Sequence, residues 1–153
     1  MTTEDRAFAA LYVAQFDPMV RLAVLLVDST AAAEDLVQDV FAKLLERFST
    51  VDDPPAWLRV AVTNACKNER RRLGTFRRHA PRLADPTVDT DRPVDELIAS
   101  LRRLPYRQRA VVVLRFYLGL SEAQIAATLD VRPGTVKSSL SRALARLRVE
   151  VAP

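Results

Sequence analysis

The sequence predicts an all-α protein: two small helical domains joined by a flexible linker, the second with a helix-turn-helix. Apolar residues recur every three or four positions through nearly all of the chain before residue 74 and after residue 93, the period of one buried helix face. No stretch shows the strict apolar/polar alternation of a half-buried strand. Between Gly74 and Pro93 the run GTFRRHAPRLADPTVDTDRP loses that period and carries three prolines and scattered charges, which marks a connector.

Taken in order, Thr3 is placed to cap a first helix with Phe8, Leu11 and Tyr12 on one side, and Asp17-Pro18 to open a second with Met19, Leu22, Ala23 and Leu26. Asp28-Ser29-Thr30 stops it. The next helix, about Ala31 to Phe48, has the strongest period in the chain. Val37, Val40, Phe41, Leu44, Leu45 and Phe48 form one stripe, with Asp35, Gln38 and Asp39 largely outside it. A turn at Asp52-Asp53-Pro54-Pro55 precedes a helix that buries Trp57, Leu58, Ala61 and Ala65 and turns basic toward Lys67, Arg70, Arg71 and Arg72. The second domain opens with a helix bearing Val94, Leu97, Ile98 and Leu101, passes Leu104-Pro105, and runs through QRAVVVLRFYL to a stop at Gly119.

The segment SEAQIAATLDVRPGTVKSSLSRALARLR, from Ser121 to Arg148, is the helix-turn-helix. Ser121 with Gln124 three residues on has the spacing of a capping box, in which hydroxyl and amide satisfy each other's orphan backbone donors. A short helix to about Leu129 follows, Asp130-Val131-Arg132 breaks it, and Pro133 suits the first position of another, where a missing N–H costs nothing. The last helix places Val136, Leu140, Ala143, Leu144 and Leu147 on an apolar stripe and Lys137, Ser138, Ser141, Arg142 and Arg146 away from it. A helix fits the DNA major groove, where Arg or Lys bonds guanine and Ser bonds several base edges. A helical hairpin with a solvated basic face would carry the same pattern.

Composition narrows the classes. A chain of 153 residues with 49% hydrophobic content can build one or two real cores. No unbroken apolar run approaches the roughly 20 residues that span a bilayer, and MTTEDRAF lacks a basic segment followed by a hydrophobic one, so no membrane insertion and a cytoplasmic location are expected. One cysteine, Cys66, and one histidine, His79, make neither an internal disulfide nor a metal cluster. Three glycines argue against a phosphate-cradling loop, and no nucleophile-base pairing stands out, so neither a catalytic residue nor a cofactor is expected. Charge is segregated. Residues 1–53 carry 4 basic and 10 acidic groups, 54–78 carry 7 and 1, and 94–153 carry 10 and 5. Two positive regions apart in sequence suit two contacts with a polyanion, or two solvated faces in a chain whose 23 basic residues are mostly arginine.

Along its length the chain resembles bacterial RNA polymerase sigma factors of the extracytoplasmic-function (ECF) class. AEDLVQDVFAKLLERF resembles the region 2 helix that docks on the polymerase clamp, PPAWLRVAVTNACKNERRR the promoter-opening helix that follows, and LRRLPYRQRAVVVLRFYLGLSEAQIAATLDVRPGTVKSSLSRALARLR region 4. The resemblance implies region 2 at 1–73, a linker at 74–93 and region 4 at 94–153, in a promoter-specificity subunit that catalyses nothing itself. It implies that Asp35, Gln38 and Asp39 bind the clamp coiled coil, that Asn64 reads an unstacked base of the downstream (minus-10) element, and that Lys67, Arg70 and Arg71 hold nearby phosphates. The loop from about Ser49 to Ala56 corresponds to the family's base-capture loop. On the recognition helix, Lys137, Ser138, Ser141 and Arg142 match readers of the upstream (minus-35) element, with Arg132 and Thr135 near phosphate at the helix start. Two positions depart from the pattern: Arg132 replaces a small capping hydroxyl, and Ser139 stands where many relatives have arginine. The implied partners are core polymerase, through clamp and flap, promoter DNA and an anti-sigma factor. A free-standing helix-turn-helix regulator would leave the Asp35-Gln38-Asp39 and Asn64 helices without a role; an all-helical protein-binding adaptor with solvated basic faces is the other alternative, and binding to core polymerase separates both from a sigma factor.

Overall fold

The computed structural model describes residues 1–79 and 92–151. Among them every regular element is helical: α1 (Thr3–Leu26), α2 (Thr30–Arg47), a 3-10 turn (Phe48–Thr50), α3 (Pro54–His79), α4 (Arg92–Arg102), α5 (Tyr106–Phe116), α6 (Glu122–Leu129) and α7 (Pro133–Val151). Helices α1, α2 and α3 pack mutually into one unit, and α4 to α7 into a second around α5 and α7.

The first unit closes on Met19, Leu22, Ala23 and Leu26 of α1, Val37, Val40, Phe41 and Leu44 of α2, and Leu58, Val62 and Cys66 of α3, all buried. Each fully buried leucine is worth about 1.5–3 kcal/mol over an exposed one, before conformational entropy is subtracted. Toward the start of α1 the core turns aromatic: Phe8 meets Phe48 edge-on at 5.4 Å and Tyr12 meets Phe41 at 5.0 Å between ring centroids. Such edge-to-face pairs add to the burial itself.

The N-terminal region departs from the expectation of two helices. α1 is continuous, with Pro18 inside it, and its cap is Thr2 rather than Thr3, in a capping box with Asp5. An interior proline removes one backbone hydrogen bond and crowds the preceding turn. Here Phe16 and Met19, on either side of Asp17-Pro18, pack into the same core, and that packing carries the helix through. α1 is also long and apolar enough, by length and composition, to cross a membrane. Its Met19-Leu22-Ala23-Leu26 face is committed to the bundle instead.

Other expectations shift in register. Leu45 is 55% exposed and Leu97 50% exposed, so the α2 stripe is narrower than its sequence period and α4 faces its core through Ser100 and Leu101. Trp57, Ala61 and Ala65 are only partly buried, while Val62 and Cys66 take the centre of the α3 face. On α7 the innermost residues are Val136, Ser139 and Ala143, with Leu140 and Leu147 flanking. Ser139 therefore faces inward. α3 runs past Leu73 to His79 and α4 opens at Arg92, so helix covers both ends of the expected connector; residues 80–91 lie outside those described.

The helix-turn-helix forms as its sequence dictates. Gln124 N–H donates to Ser121 Oγ at 3.1 Å, and Ser121 N–H to Gln124 Oε1 at 2.9 Å. α6 ends on Asp130, left-handed at φ 54°, a conformation Asp tolerates better than most side chains. Gly119, at φ 66°, makes the turn after α5, and Pro133 opens α7.

Candidate nucleic-acid interface

The candidate residues gather on outward faces of α2, α3 and α7. On α2, Asp35, Gln38 and Asp39 are exposed, and Gln38 Nε2 donates to the Tyr12 hydroxyl at 3.3 Å. Asp35 and Asp39 border a cleft of about 410 Å³ between α2 and α3, whose other polar lining includes Lys43, Asn68, Glu69 and Arg72. Glu69 is paired with Arg72 at 2.8 Å, so much of its charge is answered locally. Asn68 and Glu69 lie within the basic α3 segment and carry no signal of their own in the sequence; only the packing of α3 against α2 puts them beside the acidic pair.

On α3, Asn64, Lys67 and Arg71 are exposed at positions i, i+3 and i+7, which a helical period places on one side. Behind them Val62 and Cys66 are buried, and burial pushes the Cys66 thiol up to about 12. That thiol stays protonated and unreactive at neutral pH. Arg70 stands apart from this face. It is half-buried, with its guanidinium 5.5 Å from the centre of the Tyr106 ring in the second unit. A cation at that distance from an aromatic face is attracted to it.

On α7, Lys137, Ser138, Ser141 and Arg142 are exposed, Arg132 is exposed in the turn before the helix, and Thr135 is half-buried in its first turn. Lys137 Nζ lies 4.0 Å from Glu122 Oε2, with the lysine side chain 72% exposed. A pair that open is worth about 0–1 kcal/mol and yields readily to a phosphate or base edge. Ser138 Oγ donates to the carbonyl of Thr135 at 3.1 Å, a bond that holds the hydroxyl against its own helix. The inward Ser139 presents no side chain to a ligand on this face, so the replacement of arginine by serine alters packing before it alters contacts.

The residues that the sequence did not reveal are those joining the two units. Arg109 of α5 is fully buried, Tyr106 donates its hydroxyl to the carbonyl of Thr63 at 2.7 Å, and Tyr117 donates to that of Pro18 at 3.2 Å. Burial lowers the Arg109 pKa and raises that of Tyr106. Among the described residues no cluster of His, Cys, Asp and Glu is arranged to hold a metal ion.

Comparison with known proteins agrees with this division. The Sigma-70 region 2 family matches residues 11–76 and the Sigma-70 region 4 family residues 95–147. The RNA polymerase sigma-E factor of Streptomyces coelicolor is 35% identical over 142 residues, covering 88% of this chain and 80% of that protein. The ECF RNA polymerase sigma factor SigL of Mycobacterium tuberculosis is 31% identical over 159 residues, covering 95% and 89%. The sigma factor RpoE of Bartonella quintana, solved with the anti-sigma factor NepR, shares the fold at a TM-score of 0.80 with 23% identity, over 97% of this chain and 99% of that one. CnrH, solved with the cytosolic domain of CnrY, shares it at 0.73 with 22% identity, over 95% and 87%. With both family regions in order and homology over nearly the whole length, the chain belongs to the sigma-70 RNA polymerase sigma factors, in the extracytoplasmic-function class.

Proposed function

We propose that this promoter-specificity subunit divides its work among three helix faces. The acidic face of α2, with Asp35, Gln38 and Asp39, docks on the clamp coiled coil of core polymerase. Asn64 on α3 hydrogen-bonds a base that has left the stack in the downstream element, while Lys67 and Arg71 hold the neighbouring phosphates and Arg70 joins them once it leaves the Tyr106 ring. Lys137, Ser138, Ser141 and Arg142 on α7 read base edges of the upstream duplex, with Arg132 and Thr135 on its backbone. Phosphate contacts supply affinity, and base contacts supply selectivity. Residues 1–73 act as region 2, 74–93 as a linker threading toward the polymerase channel, and 94–153 as region 4, which also meets the flap. Bond-making belongs to the polymerase, and the subunit works with it in the cytoplasm. An anti-sigma factor is the expected restraint, as RpoE of Bartonella quintana is held in complex with the anti-sigma factor NepR.

One observation carries the reading: of the thirteen residues that the resemblance singles out, twelve fall on three helices, acidic or polar on α2 and basic or polar on α3 and α7, with Arg132 in the turn before α7, and all but Arg70 and Thr135 are exposed. The docking face has a direct test. Asp35→Arg with Asp39→Arg should abolish co-purification with core polymerase while helical content is unchanged, because both side chains lie off the buried Val37-Phe41-Leu44 stripe. Retained co-purification would remove α2 as the docking face.

A further inference from the structure

Lys137 Nζ and Glu122 Oε2 lie 4.0 Å apart across the two helices of the helix-turn-helix. The two ends of that pair are held very differently. Glu122 is the first residue of α6, in a turn fixed by the Ser121-Gln124 capping box, and its side chain is 39% exposed. An acid in a first helical turn is also favoured by the helix dipole. Lys137, at 72% exposed, carries its charge on a flexible four-carbon stem. The anchored acid therefore sets where the mobile cation rests.

An acid at this place costs affinity for DNA. When a helix-turn-helix binds duplex, its first helix crosses the phosphate backbone while its second enters the major groove. A carboxylate at the start of α6 then stands near phosphates, and like charges within the Debye length of about 8 Å at physiological salt repel. A phosphate that reaches Lys137 must also approach Glu122. Guanine N7 and O6 are neutral acceptors and meet much less of that repulsion. The pair is too open to keep Lys137 from DNA, but the carboxylate stays beside it and biases which acceptor the ammonium takes.

We propose that Glu122 is a specificity-determining residue: it makes phosphate a poor partner for Lys137 and so directs the lysine to a base edge of the upstream duplex. The inference rests on Lys137 reading bases from α7, as proposed above. Selectivity gained by setting a repulsive group against the wrong partner needs no contact between Glu122 and DNA. Removing the repulsion frees Lys137 to take a phosphate, which adds affinity for every sequence and removes a preference at one base pair.

The test uses the full chain assembled with core polymerase, its Glu122→Gln and Lys137→Ala variants, and the double variant. The probes are a duplex selected by the wild-type assembly from a library randomised over the upstream element, every single base-pair substitution of it, and a non-promoter duplex, each at several salt concentrations. Glu122→Gln keeps the side chain's shape and the capping box. It should tighten binding to the non-promoter duplex about two- to fivefold, steepen the salt slope by about 1, and lower discrimination by a similar factor at the one base pair where Lys137→Ala also lowers it. Added to Lys137→Ala, it should change discrimination nowhere. Discrimination unchanged by Glu122→Gln but lowered by Lys137→Ala overturns the inference and leaves Lys137 a reader, with Glu122 a plain surface charge. Lower discrimination without the gain on the non-promoter duplex also overturns it, because the freed lysine has then found no phosphate. A further loss of discrimination in the double variant makes Glu122 a direct base contact and overturns the positioning role. Discrimination unchanged by Lys137→Ala rejects Lys137 as a reader, and the inference falls with it.

Discussion

Arg142 and Lys67 are both exposed cations, on α7 and α3, yet the proposed function gives them different tasks. In the proposed division, Arg142, one helical turn beyond Ser138 on α7, would form a bidentate contact with a guanine edge, and Lys67, one turn from Asn64 on α3, would meet phosphate. Arg142→Ala should then cost about 1–3 kcal/mol at one or two upstream base pairs and relax the preference there. Lys67→Ala should weaken binding evenly across sequences and lower the salt slope by about 1. A panel of promoter variants measured at several salt concentrations separates the two patterns. Uniform loss for Arg142→Ala would make it a phosphate contact.

At the scale of the helix, local chemistry explains what the sequence disclosed and where it misled. The starts of both helices of the helix-turn-helix are readable in the sequence, because a capping box and a first-turn proline act within a few positions of one another, whereas α7 runs past Arg148 to Val151. Asp17-Pro18 resembled a helix start for equally local reasons, and the packing of Phe16 and Met19 overrode it. Leu45 and Leu97 misled in the opposite sense: they match the helical period, but none of the described helices covers them. Ser139 is small enough to let α7 approach its core closely, which a hydrophobic pattern does not register. The proline carries a measurable cost. Pro18→Ala restores one backbone donor inside α1 and keeps the carbonyl that accepts from Tyr117, so it should stabilise the protein by about 1–3 kcal/mol. Urea unfolding followed by circular dichroism reads the change directly; a loss of stability would mean that the α1 path requires the ring.

For the molecule as a whole, the outward faces were legible and the contact between units was not. Exposed polar residues on a strongly periodic helix identify themselves, since their position follows from the buried stripe opposite. Arg109 has no such signature: within YRQRAVVV it reads as one more solvated cation, and only the approach of α1 reveals its partners, 81 and 84 positions away in sequence. Tyr106 and Thr63 are likewise ordinary residues whose hydrogen bond exists only after the units meet. In the proposed function these faces act together at the promoter, with α2 on polymerase, α7 on duplex and α3 on the opened strand.

The most direct measurement of that division compares the wild-type chain with Asn64→Ala, each assembled with core polymerase, on a promoter as intact duplex and as a template already melted across the downstream element. Permanganate reactivity of thymines reports opening, and affinity is measured on both templates. The account predicts nearly normal binding to the duplex, impaired opening, and a defect that persists in affinity for the pre-melted template, since the lost hydrogen bonds are to the exposed base itself. Normal opening of the duplex together with unchanged affinity for the melted template would contradict it, and α3 would lose its reader.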